Sequence, residues 1–105
     1  MNPHSVRDNE VLHRFEIVVD DTVSGYLEYD RIAGQLLLVH TEVYPGSGGQ
    51  GYAGELIRAV LDKARREKRP LLVVCPFVKE WLSRHPEYDD LDIRLHDDRR
   101  DRRTR

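Results

Sequence analysis

Cysteine occurs once in this chain, at Cys75, so no intramolecular disulfide holds the fold. No stretch approaches the ~20 apolar residues that a membrane-crossing helix needs. The opening text MNPHSVRDNE is polar where a secretion signal would carry an apolar core. An excess of one charge is lacking too: 17 basic and 19 acidic residues give a net charge of -2. That balance supplies no general attraction to nucleic acid or to an anionic membrane. No His, Cys, Asp or Glu cluster has metal-ligand spacing, so no metal is expected. Internal repeats are absent as well. The simplest setting for such a chain is a reducing cytoplasm.

What is present suits one small globular domain. The chain has 105 residues, 39% apolar and 34% charged, enough for a single modest core beneath a highly charged exterior. Residues 1–9 read as a frayed polar start, 10–95 as the folded domain, and 96–105 as a charged, disordered tail. In the tail, three aspartates among five arginines dilute the field that a nucleic-acid arm would need.

Within the domain, LHRFEIVV (residues 12–19) is rich in β-branched and aromatic residues and predicts a strand. Asp20 and Asp21 supply a turn, and VSGYLEYDRI alternates as the returning strand of a hairpin. Ala33 and Gly34 make a second turn. QLLLVHTEV (35–43) begins with an unbroken apolar run, as in a central strand. Strict alternation puts Leu36, Leu38, His40 and Glu42 on one face. Leu56, Ile57, Val60, Leu61 and Ala64 then recur at helical spacing. LLVVCP predicts a short buried strand, parallel to the 36–43 strand by a right-handed crossover. FVKEWLSRH predicts a short helix with Phe77, Val78, Trp81 and Leu82 inside, and a last short strand follows HPEYDD.

Five of the seven glycines fall between Gly46 and Gly54, in VYPGSGGQGYAGEL. A glycine-rich turn feeding a helix suits an anion, because the first helical N–H groups lack partners and the dipole is positive there. A plain connector has the same composition. No Lys-Ser or Lys-Thr follows the glycines, which excludes the nucleoside-triphosphate loop. The dinucleotide fingerprint belongs to a longer first βαβ unit and does not fit either.

Gly48-Gly49-Gln50-Gly51-Tyr52-Ala53 resembles the acetyl-CoA pyrophosphate loop of the GCN5-related N-acetyltransferases, Arg/Gln-x-x-Gly-x-Gly/Ala. A small single-domain branch of that superfamily is closer still. It shares the segments His40–Val43, Gly49–Gly51, Cys75–Val78 and His85–Tyr88, in this order, over roughly residues 10–93. The resemblance implies an α+β mixed sheet of the acyl-CoA N-acyltransferase fold. It would be a minimal version that lacks the first two helices, with splayed parallel strands at 36–43 and 71–75. The acceptor site would then be open or completed by a partner.

It further implies transfer of an acetyl group from acetyl-CoA to a primary amine, on a small molecule or on a protein lysine or amino terminus, by a monomer or homodimer. Thr41, Glu42 and Val43 would line the pantetheine arm, and Gly48, Gly49, Gln50, Gly51, Tyr52 and Ala53 would hold the pyrophosphate. Cys75, Pro76 and Phe77 would lie by the thioester. Glu42 and His40 are the candidate bases, Tyr88 the candidate acid and Cys75 a candidate nucleophile. Each has a plainer alternative: a surface ion pair for Glu42, a hydrogen-bonded structural histidine for His40, and packing for Cys75 and Tyr88. Position 48 departs from the pattern, with glycine where Arg or Gln would add a side-chain contact. A CoA-binding or interaction module without turnover is the second reading.

Overall fold

The computed structural model describes residues 4–96. The expectation of a disordered tail therefore lies, from residue 97 onward, outside the described residues. Six strands form one sheet in the order β1 to β6: His4–Asn9, Arg14–Val19, Thr22–Ile32, Gln35–Val43, Leu71–Val73 and Ile93–Leu95. Helix α1 (Tyr52–Glu67) joins β4 to β5. Helix α2 (Pro76–Ser83) and a single 3-10 turn (Pro86–Tyr88) join β5 to β6. The first four strands are an antiparallel meander, whereas β4, β5 and β6 run parallel. This is the mixed sheet expected, without helices among the first strands.

The amino-terminal residues correct the expectation of a frayed start. Residues 4–9 form β1, paired along its length with β2. Its polar side chains hid it, because several of them are held by residues of the neighbouring strands. Arg7 bonds Glu16 at 2.9 Å, and Asp8 accepts from the Tyr29 hydroxyl at 2.6 Å. Val6, opposite Ile17, is half-buried against the core.

Both tight turns adopt the conformation that suits two-residue hairpins. Asp20 and Asp21 have φ of 50° and 65°, and Ala33 and Gly34 have φ of 53° and 83°.

Helix α1 buries Leu56, Ile57, Val60, Leu61 and Ala64, the stripe its spacing predicts. It ends at Lys68, a left-handed cap at φ 53°, where Arg69 N–H reaches back to Ala64 O at 3.0 Å. Beneath it lie Phe15, Ile17, Leu27, Tyr29, Leu36, Leu38, Leu71 and Val73, with Val78 and Trp81 of α2 in the same cluster. The two helices therefore share one face of the sheet, as two right-handed crossovers in the same direction require. No helix among the described residues covers the other face. Neither helix is long and apolar enough to cross a membrane.

A β-bulge decides where the polar residues of β4 point. Tyr29 pairs with Leu38, yet Glu28 pairs with His40, so Val39 is an extra residue in β4. Alternation resets there. Leu36 and Leu38 face the helices. His40 and Glu42, which strict alternation put beside them, face the bare side, opposite Glu28 and Tyr26. Thr41, opposite Leu27, and Val43 face the helix side instead.

Candidate functional site

Strands β4 and β5 pair only over Leu36–Leu71, Leu37–Leu72 and Leu38–Val73. Beyond this point Val74 N–H and Cys75 N–H both donate to Leu38 O, at 2.9 Å each, and the chain leaves the sheet into α2. Strand β4 continues to Val43 with a partner on the β3 side alone. The sheet is thus split between β4 and β5, and Pro76, the first residue of α2, prevents β5 from extending the ladder.

The glycine loop lies at this split. Ser47 N–H closes a turn on Tyr44 O at 3.0 Å, and Tyr44 N–H is anchored to Ser24 O at 2.9 Å. Gly46, Gly49 and Gly51 take φ of 92°, 78° and 78°, which explains their glycine identity. Gly51 caps α1 without any side-chain hydrogen bond to the first turn. The leading N–H groups of α1 are therefore left for an external acceptor.

A cleft of about 280 Å³ runs beside these groups, lined by Thr41, Val43, Ser47, Gly48, Gly49, Gly51, Tyr52, Ala53 and Phe77. No lining residue is charged. Glu55, in the first turn of α1, is paired with His4 of β1, whose ring lies 5.8 Å from that of Tyr52.

Eight residues expected at a cofactor site thus share one cleft: Thr41, Val43, Gly48, Gly49, Gly51, Tyr52, Ala53 and Phe77. Phe77, expected inside α2, is instead 44% exposed and forms part of the wall. Glu42, Gln50, Cys75 and Pro76 do not line the cleft. Cys75 is buried next to it, its Sγ 3.5 Å from Thr41 Oγ1. Ser47 is the lining residue that the motif missed, since the pattern begins one position later.

Glu42 and His40 sit across the sheet from the cleft. His40 Nε2 is 3.3 Å from Glu42 Oε1, and the Tyr26 hydroxyl donates to the same oxygen at 3.3 Å. The two side chains remain 53% and 46% exposed. The split between β4 and β5 opens beside the strand that carries them.

Tyr88 lies elsewhere. Its hydroxyl donates to Asp62 of α1 at 3.0 Å, and the Arg65 guanidinium lies 5.1 Å over its ring. Burial, reinforced by the bond to Asp62, raises the pKa of this phenol above its ordinary value. Its neighbour His85 stacks on Trp81 at 3.7 Å and approaches Glu87 at 3.0 Å. The His85–Tyr88 segment thus braces α1 against α2.

Comparison with known proteins agrees with this geometry. A family model described as GCN5-related N-acetyl-transferase matches residues 14–91. The solution structure of a GCN5-like protein from Staphylococcus aureus superposes with a TM-score of 0.67 at 23% identity, covering 90% of this chain and 91% of that one. No curated protein matches the chain. A split mixed sheet, a glycine loop capping α1 and a family match over most of the domain lead to one conclusion: the chain belongs to the GCN5-related N-acetyltransferase family.

Proposed function

We propose that the chain transfers an acetyl group from acetyl-CoA to a primary amine by direct attack, within a single unit built on residues 10–95 and edged by β1. The observation that carries this reading is the cleft, where an uncapped helix start, a glycine loop and the free edge of β4 converge. The fit to the cofactor is sound. A Cβ built on Gly46, Gly48, Gly49 or Gly51 would meet nothing within 4 Å, so the loop backbone is open to approach. Backbone donors from Gly49 to Ala53 would hold the pyrophosphate, and Thr41 and Val43 would border the pantetheine arm. The cofactor supplies an activated thioester.

The chain's own residues supply proton management. Glu42, supported by His40, takes a proton from the attacking amine, directly or through water. The amine nitrogen forms the new C–N bond as the C–S bond breaks, and the departing sulfur is protonated in turn. Because the split joins the two faces of the sheet, an acceptor from the bare side reaches the thioester without crossing the helix layer. The acceptor is an amine of a small molecule or of a protein.

A second reading, CoA binding without efficient turnover, is favoured by one observation: no cationic side chain lines the cleft. Two measurements separate the readings. CoA at about 100 times its dissociation constant should stabilise the fold by roughly 2.7 kcal/mol in a thermal-shift assay. A free-thiol assay over an amine panel should then show turnover. No shift with CoA or acetyl-CoA overturns both readings, and a shift without thiol release on any amine leaves the binding module.

A further inference from the structure

Glu16 is 1% exposed, although it lies on the sheet face that no described helix covers. Burying a carboxylate is unfavourable unless donors replace its water. Three do: Arg14 Nε at 2.8 Å, Arg7 Nε at 2.9 Å and Asn9 Nδ2 at 3.1 Å. Burial alone would raise the Glu16 pKa, but these donors outweigh it and hold the carboxyl below its ordinary value. An apolar residue would have served packing on this strand, so the ionic cluster has another use. It immobilises Arg14.

The Arg14 guanidinium lies 4.6 Å over the centre of the Tyr26 ring, and Tyr44 packs edge-on against that ring at 6.0 Å. Tyr26 is directly opposite Glu42 in the β3–β4 pairing. Its hydroxyl donates to Glu42 Oε1, the oxygen that also faces His40. Among the described residues, Glu42 Oε2 makes no hydrogen bond. An exposed glutamate on a strand otherwise samples several rotamers, and two contacts to one oxygen select one of them.

We propose that Tyr26 is a positioning residue for the acyl transfer. Clamped by Arg14, and through it by Glu16, it holds Glu42 Oε1 so that Oε2 receives the amine proton. The inference rests on Glu42 being the base, as given under Proposed function.

The test is a double-mutant cycle, using whichever amine the wild-type chain acetylates. Tyr26→Phe should lower kcat/KM for the amine about tenfold and leave the dissociation constant for CoA within twofold. Glu42→Gln should lower kcat/KM at least a hundredfold. The double variant should match Glu42→Gln alone, because a residue that acts only through Glu42 has nothing left to do. Arg14→Gln should act like Tyr26→Phe, more weakly, which keeps the test open if either variant folds poorly.

Tyr26→Phe at wild-type activity beside a crippled Glu42→Gln overturns the positioning role alone. So does a Tyr26→Phe loss that multiplies onto that of Glu42→Gln. Wild-type activity in Glu42→Gln overturns the assignment of the base and the positioning role with it. Absence of turnover in the wild-type chain overturns the transferase reading and this inference together.

Discussion

Thr41 and Cys75 meet across the opening between β4 and β5, Oγ1 to Sγ at 3.5 Å. No basic side chain contacts the sulfur among the described residues, so Cys75 lacks the adjacent base that a nucleophilic thiol uses. This favours the direct transfer proposed above over an acetyl-cysteine intermediate. Wild-type protein incubated with acetyl-CoA, without amine, should show no acetyl group on the Cys75 peptide by mass spectrometry, and a stoichiometric adduct would refute direct transfer. Cys75→Ala should destabilise the fold by about 1 kcal/mol through lost packing.

Position 48 offers a gain of function. Gly48 has no positive φ, and a Cβ there meets nothing within 4 Å, so a side chain fits without strain. Gly48→Arg adds the first cation to a cleft lined by neutral groups. A charge-assisted hydrogen bond to the pyrophosphate should tighten CoA binding by roughly 1 kcal/mol, between fivefold and tenfold. Titration calorimetry at two salt concentrations checks it. The gain should shrink at high salt, whereas the wild-type affinity should change little.

Gly25 is the opposite case. A Cβ there would stand 2.7 Å from Glu42 O and 3.2 Å from Val43 Cα, both backbone atoms. Gly25→Ala should push β4 away from β3 at the end of the strand that borders the cleft. The expected cost is about 1–3 kcal/mol by denaturant unfolding, with weaker CoA binding. Gly34→Ala, where nothing lies within 4 Å but φ is 83°, should cost about 1–2 kcal/mol and leave CoA binding unchanged.

Alkaline stability should report on Tyr29. Burial, then the hydrogen bond to Asp8, pushes this phenol from 10.0 up to about 12. Below pH 10 the group is protonated in both folded and unfolded chains. Above it the unfolded chain releases the proton first, so stability falls as pH rises from about 10 to about 12. The loss is on the order of 2–3 kcal/mol. Tyr29→Phe starts less stable and should be flatter across that window in denaturant titrations by circular dichroism.

The buried face of α1 was legible because apolar spacing alone determines it, whereas Phe77 of α2, apolar too, turned out to line the cleft. Leu56, Ile57, Val60, Leu61 and Ala64 needed no tertiary information. The cleft was legible through Gly49 and Gly51, whose positive φ is what glycine allows. Strand β1 was not, because Arg7 and Asp8 are satisfied by Glu16 and Tyr29, which are far along the chain. Nor was the side of the sheet that His40 and Glu42 take. A bulge adds a residue without changing composition or local propensity, so alternation counted from Leu36 ran past it. Tyr88 belongs to a local motif, but its partner Asp62 is 26 positions away and only the fold brings the two together.

Val39 therefore acts as a parity bit. Draw it into the regular ladder, and strict alternation would carry Thr41 and Val43 to the bare side and turn His40 and Glu42 into the cleft. The groups that border the cofactor site and the groups proposed to move the proton would trade places, with every other side chain unchanged. Which chemistry this strand offers to each side thus depends on an odd or even number of residues as much as on their identity. Deleting Val39 should straighten the strand and leave both faces as they are, whereas pairing it in the ladder inverts every residue beyond it.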